Sequence, residues 1–284
     1  MLQDCGAQLR LIGLLAATLI AFAGNSLLTR AALVDPDNSA LGFAGVRLLS
    51  GAVLLVAVAT FRRVPPRFTR ADVPAVLALF AYAVAFSLSY REMAAASGAL
   101  ILFAVVQVSM LAVATLRGAR IGGLGLLGVA LALVGLTWLL LPGLAAPPLG
   151  AALMMALSGL AWGIYSLLGQ RSGSGGGDPV DRTIRNFLGT VPLVLLIFLI
   201  VPPVLTPFGW LMAVLSGAVA SALGYLLWYL VLPKLSTPLA ASAQLSVPLI
   251  AALGGVLFLG EGLSARFVLA SVLILGGIAL TARR

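Results

Sequence analysis

The sequence predicts an all-α integral membrane protein of ten transmembrane helices, arranged as two inverted five-helix repeats around a central cavity. Three observations carry this. Of 284 residues, 62% are hydrophobic and only 9% charged, with a mean hydropathy of +1.16, a surface that no soluble domain of this length could cover. The hydrocarbon is cut into helix-length pieces by short basic or Gly/Pro-rich loops. The pattern then occurs twice along the chain.

The spans are expected at 9–32, 40–60, 73–90, 94–115, 122–141, 149–170, 183–201, 208–232, 237–259 and 265–282. The first resembles a secretory leader, but its apolar run from Leu11 is longer than a signal core and lacks a clear small-residue cleavage site before Asn25, so it is expected to be retained. The stretches from Ile121 to Gln170 and from Asn186 to Pro233 hold no charge, and each is long enough for two spans. They break at Pro142-Gly143 with Pro147-Pro148, and at Pro202-Pro203 with Pro207, where proline stops a helix. The glycine-rich stretch from Arg171 to Val180 has no Gly-Lys-Ser or Gly-Lys-Thr and no preceding strand, so it is a flexible linker rather than a phosphate loop.

A sequence pI near 11.0 would suggest a nucleic-acid partner in a soluble protein. Here the basic residues report topology. With the N-terminus inside, the cytoplasmic segments collect Arg10, Arg62, Arg63, Arg67, Arg70, Arg117, Arg120, Arg171, Arg182, Lys234, Arg283 and Arg284, and the outside ends keep Arg30, Arg91 and Arg266. The positive-inside rule therefore places both termini in the cytoplasm. The lone Cys5 supports neither an internal disulfide nor a thiolate metal site.

The repeat divides the chain into 1–145 and 146–284. FAGNSLL from Phe22 and WGIYSLL from Trp162 match at an offset of 140, SGALILFAVVQVSMLA from Ser97 resembles PLAASAQLSVPLIAA from Pro238, and LALVGL near Gly135 resembles LILGGI near Gly276. Five spans per half is an odd number, so the second half runs through the bilayer in the opposite sense. Inverted repeats place a substrate site near the midplane where the halves meet.

Candidate site residues therefore come from matched helices. Thr18, Phe22, Asn25 and Thr29 share one face of the first span, and Ser158, Trp162, Tyr165 and Gly169 repeat that spacing in the sixth. Thr18, Ser158 and Gly169 are read as helix packing, as is the Gly159/Gly163 pair. Asn25, Trp162 and Tyr165 need polar partners in hydrocarbon, which leaves cavity lining and packing both open. The third and eighth spans offer Tyr82, Phe86 and Ser89, and Ser221, Tyr225 and Trp228, while Tyr90 and Tyr229 near the span ends fit an interfacial belt. The fourth offers Phe103, Gln107 and Met110, and the ninth Ala241, Gln244 and Pro248, where the proline is expected to kink the helix. Pro192 in the seventh span is read mainly as packing.

All eight acidic residues lie in tails or near span ends, and histidine is absent. The usual parts of a proton relay are missing, so transport is expected to follow the substrate's own gradient. Arg47, the one basic residue well inside a span, lacks an acidic partner. It either meets a substrate carboxylate, or bonds helix-end carbonyls and snorkels outward.

The ten-helix pattern, the Gly/Ala-rich fourth and ninth spans, the Leu259-Gly260-Glu261 ending and the GGI helix near the C-terminus resemble the drug/metabolite transporter superfamily, in particular its EamA-type exporters. Length and aromatic content are similar to the YddG-type exporters of aromatic amino acids. The likeness covers essentially the whole chain, and its motifs are diffuse. It implies a ten-helix basket in a bacterial inner membrane that exports aromatic amino acids and similar metabolites by alternating access. In place of a second Leu-Gly-Glu the first repeat has Leu116-Arg117-Gly118, so a role for Glu261 does not transfer to both halves.

On this reading the substrate-binding residues are Phe22, Asn25, Tyr82, Phe86, Phe103, Gln107, Trp162, Tyr165, Tyr225, Trp228, Gln244 and Pro248, with Arg47 as a possible carboxylate contact. Rings of this kind would hold a flat side chain, and they would equally hold an aromatic cation, which keeps multidrug export as the alternative. No metal or cofactor is expected, and the partners are a small-molecule substrate and the lipid bilayer, with no nucleic acid. Catalysis is not expected either, because Ser221 and Ser246 have no recognisable base. A channel would show a charged ring or a carbonyl filter loop, and neither is evident. A lipid scramblase needs a lipid-facing polar groove that sequence does not locate.

Overall fold

The computed structural model describes residues 2–63, 68–116, 122–141, 146–173, 178–231, 234–235 and 243–282. Outside them lie Arg117 and Gly118, the middle of the Arg171–Val180 linker, and the segment from Thr237 through Ala241 that opens the expected ninth span.

Ten apolar helices account for the described chain: α1 Leu2–Leu33, α2 Ala40–Arg62, α3 Val73–Tyr90, α4 Ala95–Leu116, α5 Gly123–Leu140, α6 Leu149–Gly173, α7 Pro179–Ile200, α8 Pro207–Val231, α9 Ser246–Leu259 and α10 Ala265–Ala282. The first eight contain stretches long and apolar enough to cross a bilayer, and α9 and α10 are shorter. Local chemistry sets the ends. Ser39, Asp178 and Thr206 accept a hydrogen bond from a backbone N–H of the first turn of α2, α7 and α8, and Pro179 and Pro207 occupy first-turn positions where no N–H is needed. Arg63 and Gly260 close α2 and α9 in the left-handed region, at φ 53° and 64°.

Pro192 lies inside α7 without ending it. One helix departs from the sequence reading, the ninth. Pro248 does not bend a continuous ninth span: it sits in the first turn of α9, just after a turn at Leu245. Having no N–H, it cannot bond the carbonyl of Gln244 four residues back, and the helix is interrupted there instead of kinked.

The principal packing pairs are exchanged when each helix is replaced by the one five places on. α3 packs on α6 as α8 packs on α1, α4 on α6 as α9 on α1, and α2 on α8 as α7 on α3, while α2–α7, α4–α9 and α5–α10 map onto themselves. The α5–α10 pair approaches closely, since a Cβ on Gly277 would come within 2.5 Å of the Gly128 carbonyl oxygen. Outward faces carry bare aliphatics such as Leu153, Leu157, Leu160 and Ile164 on α6 and Leu195, Leu196 and Leu199 on α7. Buried positions include Thr18, Asn25, Arg47, Ser216 and Ser221. Apolar outside and polar within is the distribution that lipid as solvent demands.

Polar ties hold both ends of the bundle. At the end where α1 finishes, Arg30 donates to the carbonyls of Tyr90 and Arg91, and the Asn38 carboxamide oxygen accepts from the Thr206 amide. There too Arg266 donates to the Leu141 carbonyl. At the opposite end Arg62 pairs with Asp178 at 2.5 Å and Asp181 at 3.6 Å, and Arg185 pairs with Asp72 at 3.2 Å.

Candidate functional site

Helices α1, α2, α3, α6 and α8 converge on one polar and aromatic cluster. α1 contributes Phe22 and Asn25 from a face on which Thr18 and Thr29 are also buried, their hydroxyls turned back to the carbonyls of Leu14 and Asn25. α3 presents Tyr82 and Phe86, and α6 presents Trp162 and Tyr165. Ser158 ties α6 to α3 by donating to the Tyr82 carbonyl at 3.1 Å.

The contribution of α8 depends on its winding. Leu215–Leu223 forms a π-helix, with i→i+5 bonds, and such segments mark functional sites more often than ordinary helix does. Wider winding brings residues five apart toward the same side, and Ser216 and Ser221 both reach the cluster. Gly217 lets this segment sit directly against α2, since a Cβ there would fall on the Arg47 carbonyl and the Ser50 hydroxyl.

A continuous hydrogen-bonded chain results. Ser216 Oγ donates to Asn25 Oδ1 at 2.6 Å, and Asn25 Nδ2 donates to the Tyr82 hydroxyl at 3.1 Å. That hydroxyl also accepts from Arg47 Nη2 at 3.1 Å, and Arg47 Nε donates to Ser221 Oγ at 3.1 Å. The guanidinium lies over the rings of Tyr82 and Phe86, 5.0 and 4.9 Å from their centroids. Arg47 is 1% exposed and lies seven residues into α2, about 10 Å along its axis at 1.5 Å per residue. It neither snorkels nor bonds helix-end carbonyls, which corrects that half of the sequence reading. Its Nη1, and the hydroxyl of Tyr225 within electrostatic reach of it, are buried without a well-formed hydrogen bond.

Beside this chain the rings form one connected set. Phe22 meets Trp162, Tyr225 and Trp228 at 6.0, 5.9 and 5.9 Å between centroids. Trp162 in turn meets Tyr82 at 4.9 Å, Tyr225 at 4.8 Å and Tyr165 at 5.4 Å. Phe187 of α7 joins through Tyr225 at 5.9 Å, a partner the sequence did not single out. Edge-to-face and tilted pairs at these separations are the favoured arrangements of aromatic quadrupoles.

Eight of the thirteen sequence candidates are thus brought together: Phe22, Asn25, Arg47, Tyr82, Trp162, Tyr165, Tyr225 and Trp228, with Phe86 attached through Tyr82 at 5.3 Å as a ninth. The other four, Phe103 and Gln107 on α4 and Gln244 and Pro248 at the start of α9, are joined to the cluster by no hydrogen bond or ring contact among the described residues. Phe103 and Pro248 are buried and Gln107 is half-buried. Tyr90 is buried against Phe86 and donates to the Ala95 carbonyl at 3.3 Å, so it is no interfacial belt residue.

Glu261 acquires a role here that its place after α9 did not disclose. Both its carboxylate oxygens accept from the Ala95 amide at 3.0 Å, capping α4, and Oε1 lies 3.4 Å from Arg30 Nε. No group of metal-binding side chains occurs among the described residues.

The EamA-like transporter family matches residues 149–283. An uncharacterized protein of Pseudomonas aeruginosa, PA1977, is 50% identical over 264 residues, covering 92% of this chain and 91% of its own length. A crystal structure of a protein superposes over 95% of this chain and 99% of its own with a TM-score of 0.65, at 21% identity, which is a likeness of fold.

Proposed function

We infer from the match of residues 149–283 to the EamA-like transporter family that this chain is a multi-pass membrane transporter of a small molecule, of the drug/metabolite transporter superfamily. We propose that the molecule is an aromatic amino acid or a similar metabolite, exported by alternating access. The observation that carries this is the connected ring set, drawn from both ends of the sequence. Phe22 and Tyr82 come from residues 1–145, and Trp162, Tyr225 and Trp228 from residues 146–284.

In this proposal those two segments are the rocking halves. Their relative movement parts Phe22 and Tyr82 from Trp162 and Tyr225, and a substrate ring takes the place of a lost ring contact. Each such contact is worth about 0.5–1.5 kcal/mol beyond burial, enough to hold a flat side chain loosely and release it. The hydrogen-bonded chain from Ser216 to Arg47 supplies polar groups for the substrate's charged ends. Passive transport is supported by the composition, which has no histidine and whose acidic residues lie at helix ends or in loops. The basic residues favour both termini in the cytoplasm, and the likeness to a Pseudomonas aeruginosa protein favours a bacterial inner membrane.

Uptake of labelled phenylalanine, tryptophan and leucine into proteoliposomes, with and without a pH gradient, tests this. The expected result is saturable uptake of the two aromatic amino acids, indifferent to pH, and at least tenfold slower for Trp162→Ala. Uptake that needs the pH gradient, or that favours leucine, refutes the passive aromatic reading. The same rings would accept an aromatic cation, and competition by such a compound is the measure of that second reading.

A further inference from the structure

We propose that the free edge of the Arg47 guanidinium, together with the Tyr225 hydroxyl, is the subsite for an anionic head group on the transported molecule, a carboxylate in the first instance, so that the site discriminates against substrates whose only charge is positive. This rests on the reading of the cluster as the transport site and adds the charge class of its ligand.

The donors of Arg47 are unevenly used. A guanidinium has five N–H groups. Nε serves Ser221 and one proton of Nη2 serves Tyr82, which occupies the side edge of the fork. Nη1 has no hydrogen-bond partner, and one of its protons with the facing proton of Nη2 forms the end edge, the one that accepts a carboxylate through two parallel hydrogen bonds. Its two hydrogen bonds and its contact with the rings of Tyr82 and Phe86 hold the fork in place.

The charge of Arg47 is also uncompensated. Its hydrogen-bond partners are two neutral hydroxyls, and every ion pair among the described residues belongs to other arginines: Arg30, Arg62 and Arg185. A full positive charge this deeply buried meets only dipoles and ring faces, which offset desolvation in part. Tyr225, 2% exposed and with its hydroxyl near Arg47 and Tyr82 but in no well-formed hydrogen bond, stands beside the guanidinium and in the ring set at once. A ligand with a carboxylate on Arg47 and Tyr225 would therefore lay its side chain among Trp162, Phe22 and Tyr225. A structural tie to α8 through Ser221 and to α3 through Tyr82 uses Nε and Nη2 alone and leaves the buried Nη1 without a hydrogen bond.

Binding to the full-length protein in lipid nanodiscs at neutral pH separates the possibilities. The probes are phenylalanine, 3-phenylpropionate, phenylalaninamide and phenethylamine, with leucine and 4-methylpentanoate as aliphatic counterparts. The expected result is that phenylalanine and 3-phenylpropionate bind at least tenfold tighter than the two cations. Arg47→Gln should abolish that preference, Arg47→Lys should retain part of it, and Tyr225→Phe should weaken the carboxylates a few-fold. Cations binding as tightly as carboxylates to the unaltered protein, a carboxylate preference surviving in Arg47→Gln, or no carboxylate binding at all would overturn the subsite. Should Arg47→Gln fail to fold, the probe series on the unaltered protein and on Tyr225→Phe decides alone. Aliphatic carboxylates binding as tightly as aromatic ones, with the charge preference intact, would sink the aromatic reading and leave the anion subsite standing.

Discussion

Tyr82 is the residue on which the polar chain turns, because one hydroxyl accepts from both Asn25 and Arg47. Tyr82→Phe keeps the ring contacts with Trp162 and Phe86 and removes the acceptor, leaving two buried donors short of a partner. The expected cost is about 1–3 kcal/mol of stability, read as a lower thermal midpoint in detergent, together with a loss of transport larger than that of Phe86→Leu. Much of this residue-level picture is legible in the chain. Spacing of three and four places Phe22 with Asn25, and Tyr225 with Trp228, on single faces, and both pairs reach the cluster. Phe103 and Gln107 satisfy the same spacing and stand apart. Spacing shows which residues share a stripe, and neighbouring helices determine which stripe meets the cluster.

Helix α8 shows what a run of amino acids conceals at the level of an element. LSGAVASAL from Leu215 has nothing that distinguishes a π segment from ordinary helix, because the extra residue per turn is stabilised by contacts with α1 and α2 rather than by local propensity. Gly217→Val should force α8 away from Arg47 and Ser50. We expect a destabilised protein and at least a tenfold fall in transport, whereas Gly150→Ala at the start of α6, where an added Cβ meets nothing, should leave both unchanged. Comparing unfolding midpoints and initial uptake rates of the two variants checks this. For the α5–α10 pair, Gly277→Leu should lower stability while sparing substrate affinity, since Gly128 and its partner lie away from the rings.

For the molecule as a whole, polar ties join separate helices at both ends of the bundle. Glu261 joins α1, α4 and the end of α9, so Glu261→Gln, which removes the charge from the α4 cap and from Arg30, should loosen that end. In a Cys5→Ser background, a cysteine at the buried Ser26 should then be labelled faster by an impermeant thiol reagent, and an unchanged rate would show that this end is held without the charge of Glu261. At the opposite end, burial raises the proton affinity of Asp178, but hydrogen bonds from the Val180 amide and Arg62 and the charge of Arg62 outweigh it and hold the carboxyl below its ordinary 3.8. A depressed carboxylate stabilises the fold fully above its ordinary value and loses that contribution as pH falls through its lowered one. Asp178→Asn should therefore flatten the acid limb of the stability profile, measured by thermal unfolding between neutral pH and about pH 3.

Membrane residence, ten apolar helices and most of their ends could be read from the chain, because the bilayer is a uniform solvent that imposes length and hydropathy on each segment independently of its neighbours. Pro, Gly, Ser and Asp then mark the ends through local backbone chemistry, and the start of α9 escaped because one proline was weighed without the break before it. The partners of Arg47, the cap that Glu261 places on α4, the π segment and the contact of Tyr82 with Trp162 all join residues from separate helices. Such contacts depend on how helices rotate and cross once packed, a relation that no segment carries within itself.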